Sequence, residues 1–190
     1  LCCGAAALDL GGFTAFLYAF NEREKIYDIC ERAAGQRFHP SYTRVGGLLR
    51  DVDDQCIDMV RDFVRTFPQA DADIRRLLYR NRIFLDRTKD IGVLSREDAI
   101  NMSATGPIAR ASGVVRDLRK DEPYLAYKDF DFQVVCATEG DCYARYLVRM
   151  EEMLESVKIV HQAIENLPGG AVNVDVNSKA VFPDQTAVYR

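Results

Sequence analysis

The chain has 190 residues, enough for one domain with a real core. It is 48% hydrophobic and 28% charged, the composition of a soluble globular protein rather than a disordered one. Its net charge of −4 gives no bulk electrostatic case for nucleic acid, and no apolar run approaches the ~20 residues a spanning helix needs, so work at a membrane requires another chain as anchor.

The opening stretch LCCGAAALDLGG lacks a basic n-region and contains Asp9, which makes it a poor signal peptide. It reads as the last turns of a helix whose start lies upstream. The terminal FPDQTAVYR also stops without a closing element, so both ends suggest a fragment. Asp9 has two readings. It can cap the following helix by accepting backbone N–H groups, the simpler of the two. Alternatively, as a buried carboxylate it would hold a proton toward neutrality through desolvation.

A helix is expected over residues 11–35, with Phe13, Phe16, Leu17, Phe20, Tyr27 and Cys30 near one face and Gly35 as its stop. A long loop follows over 35–54. Ile57, Val60, Val64 and Phe67 then mark a second helix that Pro68 should end. A third is expected over 71–88, with Ile74, Leu77, Leu78 and Ile83 inward. Ser95 with Asp98 resembles a capping box. Residues 103–140 carry no sustained period, although YLAYKDFDFQVV alternates like a strand or hairpin. The clearest helix covers 141–167, with Tyr143, Tyr146, Leu147, Met150, Met153 and Leu154 at helical spacing and LPGG at its end; the tail reads as extended.

The six cysteines at 2, 3, 30, 56, 136 and 142 form no C-x-x-C pair and no zinc spacing, so free thiols in a reducing compartment are expected. GPIARASG lacks the phosphate-loop pattern, and no G-x-G-x-x-G is present. The mixed charges of RDLRKDE read as a solvated loop, with arginines able to pair across an interface. Asp141 suits a helix N-terminus by its charge alone. His161 reads as a packing residue at a helix boundary.

Long loops are uncommon in compact domains unless they are functional or disordered. These contain Tyr, Phe, Ile and Arg, which points to ordered loops pressed against partner chains. In RFHPSYTRVGG, Pro40 keeps His39 out of helical geometry, and Gly46 and Gly47 allow a sharp turn or close approach. Arg44 is then held where a bidentate carboxylate contact is reasonable. On these residues alone, a histidine satisfied by a backbone carbonyl remains the better account of His39.

Five long strings say more: ALDLGGFTAFLYAFNEREKIYD, GQRFHPSYTRVGG, NRIFLDRTKDIGVLSREDAIN, TGPIARASGVVRDLRKDEPY and EGDCYARYLVRMEEMLESVKI. In this order they closely resemble the D-subunit family of NADH-quinone oxidoreductases, core members of the peripheral arm of respiratory complex I. The resemblance covers almost the whole chain, as a central fragment, 1–190, of a single D-type domain. It implies a mainly α fold with a small β hairpin, like the large subunit of nickel–iron hydrogenases.

The resemblance also implies a place at the end of the electron path, where such a chain helps form the quinone-reduction site and couples electron transfer to proton translocation. Quinone is the implied substrate. A 4Fe-4S cluster, NADH and FMN are carried by partner subunits, and no metal or cofactor is bound by this fragment. The implied partners are a B-type iron–sulfur small subunit, an H-type membrane subunit and other peripheral-arm subunits. The implied location is peripheral, on the cytoplasmic side of a bacterial inner membrane or the matrix side of a mitochondrial one.

Carried over by matching motif, His39 corresponds to the family histidine beside the terminal cluster, Arg44 to an arginine supporting that region, and Asp9 to an acidic residue at the quinone cavity. Asp9 and His39 are thus the implied catalytic residues. The family's quinone-headgroup His and Tyr lie upstream of this chain, so the fragment alone is not expected to be active. The hydrogenase likeness does not bring nickel, because the C-x-x-C pairs are missing. A purely docking role and a membrane-bound hydrogenase large subunit are the alternatives.

Overall fold

The computed structural model describes residues 1–174. Its helices are α1 (Cys2–Asp9), α2 (Phe13–Ala34), α3 (Asp54–Leu78), α4 (Arg82–Asp86), α5 (Arg96–Asn101), α6 (Gly106–Ala111), α7 (Leu118–Asp121) and α8 (Cys142–Glu165). A two-stranded antiparallel hairpin, β1 (Thr43–Arg44) and β2 (Gly47–Leu48), pairs Thr43 with Leu48 and Arg44 with Gly47. The fold is therefore mainly α with one small hairpin. The hairpin lies inside the expected 35–54 loop, not at 124–135. That alternating stretch instead holds a 3-10 turn, Tyr127–Asp129, because Tyr124, Tyr127 and Phe130 pack edge to edge on one another. The extended segment 172–174 lies along β2, with Leu48 N–H donating to Val172 O at 2.8 Å. The rest of the expected extended tail falls outside the described residues.

α1 ends in a Schellman turn. Gly11 N–H donates to Leu8 O at 2.9 Å and Gly12 N–H to Ala7 O at 2.6 Å, with Gly11 at φ +91°. The glycine pair thus stops α1, and Gly12 is the N-cap of α2 without any side-chain cap. Asp9 is the last residue of α1 and is exposed, so neither the capping reading nor the buried-carboxylate reading holds. α1 lies on α2 through small residues. A Cβ on Gly4 would stand 2.8 Å from that of Ala19, and Ala7 and Ala15 are fully buried beside this seam. The aromatic face of α2 is accordingly not the buried one: Phe13 and Leu17 are half exposed. Gly35 closes α2 at φ +74°, as its sequence position suggests.

Pro68 does not end a helix. α3 runs through it, because the buried stripe Phe67, Asp71, Ile74 and Leu78 continues on one face past the proline, and tertiary packing outweighs the lost hydrogen bond. The expected 71–88 helix does break. Asn81 accepts from the N–H groups of Ile83 and Phe84 and starts α4, which turns Phe84 inward and leaves Ile83 exposed. Leu77 is also partly exposed. Ser95 caps α5 as expected: its Oγ accepts from Asp98 N–H at 3.0 Å and donates to the Asp98 carboxylate at 2.8 Å.

α8 is the central rod, contacting α3, α6 and α1. Tyr146 and Met150 join Ala7, Ala15, Ile74, Leu78 and Phe84 in the main core; Ala144 and Val148 join Ala111 in a smaller one. Leu167 and His161 are exposed, so neither packs inward as its spacing suggests. RDLRKDE is not a simple solvated loop. Asp117 is buried, caps α7 and binds the Arg119 guanidinium at 2.6 Å, which holds its carboxyl below the usual carboxylate range. Arg110, also buried, binds Glu152 on α8 at 2.6 Å.

Gly140, at φ +67°, ties three segments together: its N–H donates to Ala111 O and its carbonyl accepts from Leu94 N–H, both at 2.9 Å. A Cβ there would overlap the Leu94 carbonyl. Gly140→Ala should therefore destabilise the chain by at least about 1–2 kcal/mol from the left-handed conformation alone, read as a lower thermal midpoint.

Candidate functional site

His39 sits in a loop held against α2. Arg37 reaches back to three carboxylates of that helix, Glu24, Asp28 (2.7 Å) and Glu31 (3.5 Å). Phe38 then meets the edge of Tyr27, with ring centroids 5.9 Å apart. The Arg23 guanidinium lies over Phe20, Tyr27 and Phe38, a cation–π arrangement that fixes this aromatic group. The His39 ring contacts Phe38 at 4.0 Å between centroids. His39 itself adopts φ +54°, a left-handed conformation that histidine reaches more readily than most residues. Gln36 Oε1 accepts the Ser41 N–H at 3.2 Å across it. The imidazole is exposed and presented outward.

The following residues are anchored separately. The Tyr42 hydroxyl donates to Arg50 O at 2.9 Å, and Arg50 donates to Ala33 O at the end of α2, also at 2.9 Å. Arg32 binds Asp53, the N-cap of α3, and holds that carboxyl below its usual range. Arg44 is on β1 and exposed; among the described residues no carboxylate contacts its guanidinium. The carboxylate clamp expected of Arg44 is made instead by Arg37.

Asp9 lies elsewhere. It borders a cavity of ≈410 Å³ between α1, α4, α6 and α8 whose walls are mostly apolar, with Leu10, Phe84 and Ile108 among them. The Arg87, Arg145 and Arg149 side chains also line it, as does Tyr146. Arg145 is fixed by donating to Gly140 O at 2.6 Å and Gly92 O at 2.8 Å. Arg149 donates to Arg145 O at 3.2 Å, and Arg87 reaches Leu10 O at 3.5 Å. Burial pushes the Tyr146 hydroxyl well above its usual range, and pushes the Cys3 thiol up to about 11 with help from neighbouring Cys2. Both groups are therefore neutral at physiological pH. Such a space suits a largely apolar molecule with carbonyl or anionic oxygens for the guanidiniums.

His39 and Arg44 share one loop, but Asp9 is not brought to them. Phe13, just after Asp9, and Tyr27, beside Phe38, are separated by about 20 Å of α2 axis. The sequence reading missed Arg37, Arg87 and the Arg145/Arg149 pair. Only the pair left a signal, an i, i+4 spacing in the clearest helix. Among the described residues no three His, Cys, Asp or Glu side chains lie together so as to hold a metal ion. The described cysteines are all free thiols.

The family model for the respiratory-chain NADH dehydrogenase 49 kDa subunit matches residues 9–190. The chain belongs to this family. It is 48% identical over 97% of its length to the NADH-quinone oxidoreductase D subunit of Methylacidiphilum infernorum, covering 44% of that relative. With the D 1 subunit of Opitutus terrae the identity is 50% over 97% of the chain and 43% of the relative. A fused relative, the C/D 2 subunit of Aquifex aeolicus, is 47% identical over 98% of the chain and 32% of its own length. The chain spans less than half the length of these curated relatives. Among the described residues no helix is long and apolar enough to cross a membrane.

Arg37→Ala removes the three ion pairs between the loop and α2, so proteases that cut at aromatic residues should cleave at Phe38 faster than in the parent chain. Mass spectrometry of the products checks this; equal cleavage would mean that the aromatic contacts hold the loop alone.

Proposed function

We propose that this chain is the central part of a D-type subunit of NADH-quinone oxidoreductase. In that role it forms one wall of a quinone-reduction site, beside the terminal iron–sulfur cluster of a B-type partner and near an H-type membrane partner. The whole complex would pass electrons from NADH to quinone, couple this to proton translocation and sit peripherally on the membrane. The mainly helical architecture is compatible with a hydrogenase-large-subunit fold completed by the flanking parts of the protein. The observation that carries this reading is the apolar cavity bordered by Asp9 and three arginines, in a chain of this family.

The residues supply a mechanism. Arg87, Arg145 and Arg149 offer N–H donors to a quinone oxygen in a weakly polar space, where such contacts are stronger than in water. Asp9, exposed at the edge, stands between solvent and the cavity and is the carboxylate placed to relay protons to a bound quinone. Reducing a quinone takes two electrons and a proton on each oxygen, and a partner's cluster would supply the electrons. Asp9→Asn should therefore lower quinone-linked turnover of the assembled complex while leaving assembly intact. Loss of assembly instead would make Asp9 a structural residue.

His39 acts by charge. An electron added to a neighbouring cluster attracts an imidazolium by roughly 4 kcal/mol at about 4 Å and an effective dielectric near 20. That is about a thousandfold in the protonation equilibrium, as an upper bound. Reduction of such a cluster would favour a proton on His39, and the cluster potential would then fall as pH rises. In the assembled complex His39→Met should flatten that pH dependence, measured by redox titration at several pH values. An unchanged slope would sink the assignment.

A docking role is the second reading, favoured by the exposure of Phe13, Leu17, Val45 and Leu125. Normal turnover in both the Asp9 and His39 variants would support it.

A further inference from the structure

Arg23 and Phe38 connect α2 to the His39 imidazole by ring contacts alone. Phe38 is 57% exposed, so burial does not hold it. Its ring instead packs nearly perpendicular to Tyr27, at 88° with centroids 5.9 Å apart, and the Arg23 guanidinium lies 5.8 Å from its centroid. The same guanidinium lies 4.8 Å from the Tyr27 centroid and 5.3 Å from that of Phe20. Arg37 binds three carboxylates of α2, whereas Arg23 makes no ion pair among the described residues. The charge of Arg23 therefore acts on the rings.

Consecutive side chains on an extended chain point to opposite faces. At His39 the backbone is left-handed, φ +54°, and the imidazole lies against the ring that precedes it, with centroids 4.0 Å apart and planes at 62°. His39 is exposed, and among the described residues Phe38 is the one aromatic ring against it. Charge coupling between the imidazole and a group outside the chain weakens with distance. The direction in which the ring points thus sets how strongly it couples.

We infer that Phe38 is a positioning residue for His39, and that Arg23 acts through Phe38 to fix the direction in which the imidazole is presented. The functional consequence rests on His39 as the cluster's neighbour; the geometry does not. Replacing Phe38 by an apolar residue removes no charge around the loop: Arg23, Glu24, Asp28 and Glu31 on α2, and Arg37 and Arg44 beside His39, all remain. A change of proton coupling in such a variant reports the position of the imidazole.

Redox titration of the terminal cluster in the assembled complex, at several pH values, compares Phe38→Leu, Phe38→Tyr and His39→Met. Phe38→Leu should flatten the pH dependence toward that of His39→Met, and Phe38→Tyr, which keeps the ring, should retain the parent slope. A parent slope in Phe38→Leu beside a flattened one in His39→Met would overturn the positioning role. A parent slope in His39→Met would instead overturn the role of His39 itself, and a measurement that does not involve the cluster then decides the positioning. In the NMR spectrum of the full-length subunit with isotope-labelled histidine, the His39 signal is identified by its loss in His39→Met. The ring current of Phe38 should displace it from the position of a free imidazole. Arg23→Gln keeps both rings and should move the signal part of the way back, since a cation–π contact at an exposed site is worth about two- to fivefold in an equilibrium. An undisplaced signal in the parent, or an unchanged one in Arg23→Gln, would overturn the inference. Should Phe38→Leu not assemble, the spectra decide.

Discussion

The structure depends on how the first turn of α8 is held. Four N–H groups there lack intrahelical partners, as at any helix start. Three of them are met here: Cys142 N–H donates to Ile91 O, Tyr143 N–H to Thr88 O and Ala144 N–H to Asp141 Oδ1, and Arg145 N–H then makes the first intrahelical bond, to Asp141 O. The second oxygen of the same buried carboxylate accepts from Asp90 N–H at 2.8 Å. One acidic side chain and a short stretch of backbone thus fasten the central rod to the segment after α4. This attachment sets where Cys142, Arg145 and Tyr146 enter the cavity. The cavity's chemistry is therefore fixed by backbone hydrogen bonds rather than by packing alone.

The two regions of functional interest are built differently. The cavity beside Asp9 is walled by α1, α4, α6 and α8 and has its arginines tethered to carbonyls. The His39 loop has almost no buried side chain and is held by charge and aromatic contact with α2. Surface ion pairs are individually weak and screened by salt. A clamp of this kind keeps the loop in place while leaving the imidazole free to meet a surface outside the chain. Helix α2 connects the two regions, its start beside the Asp9 turn and its second half beneath the loop.

Much of the helical layout is legible in the sequence. Residues 13–34 and 142–165 carry strong helical spacing, and Ser95 with Asp98 marks a start that the structure contains. The failures have local causes. Pro68 reads as a stop, but the face containing Phe67, Ile74 and Leu78 buries enough to carry the helix through. In DLGG the glycines end one helix, whereas Asp9 alone suggests the start of the next. The aromatic face of α2 reads as core because size and hydrophobicity dominate such a reading. The helix instead buries its alanines, since only small side chains let α1 lie so close. His39 and Arg44 stand out through motif likeness. Arg37 does not, because its three partners lie up to two turns apart along another element.

The seam between α1 and α2 has a mechanical consequence. Gly4, Ala7, Ala15 and Ala19 have no side-chain torsions beyond methyl rotation, so contact there is nearly backbone against backbone. A seam of long side chains can absorb a small displacement by changing rotamers; this one cannot. α1, its Schellman turn and Asp9 must move together with the first turns of α2 or not at all. The acidic group is thus carried on a stiff arm, and its height above the cavity is set by main-chain geometry.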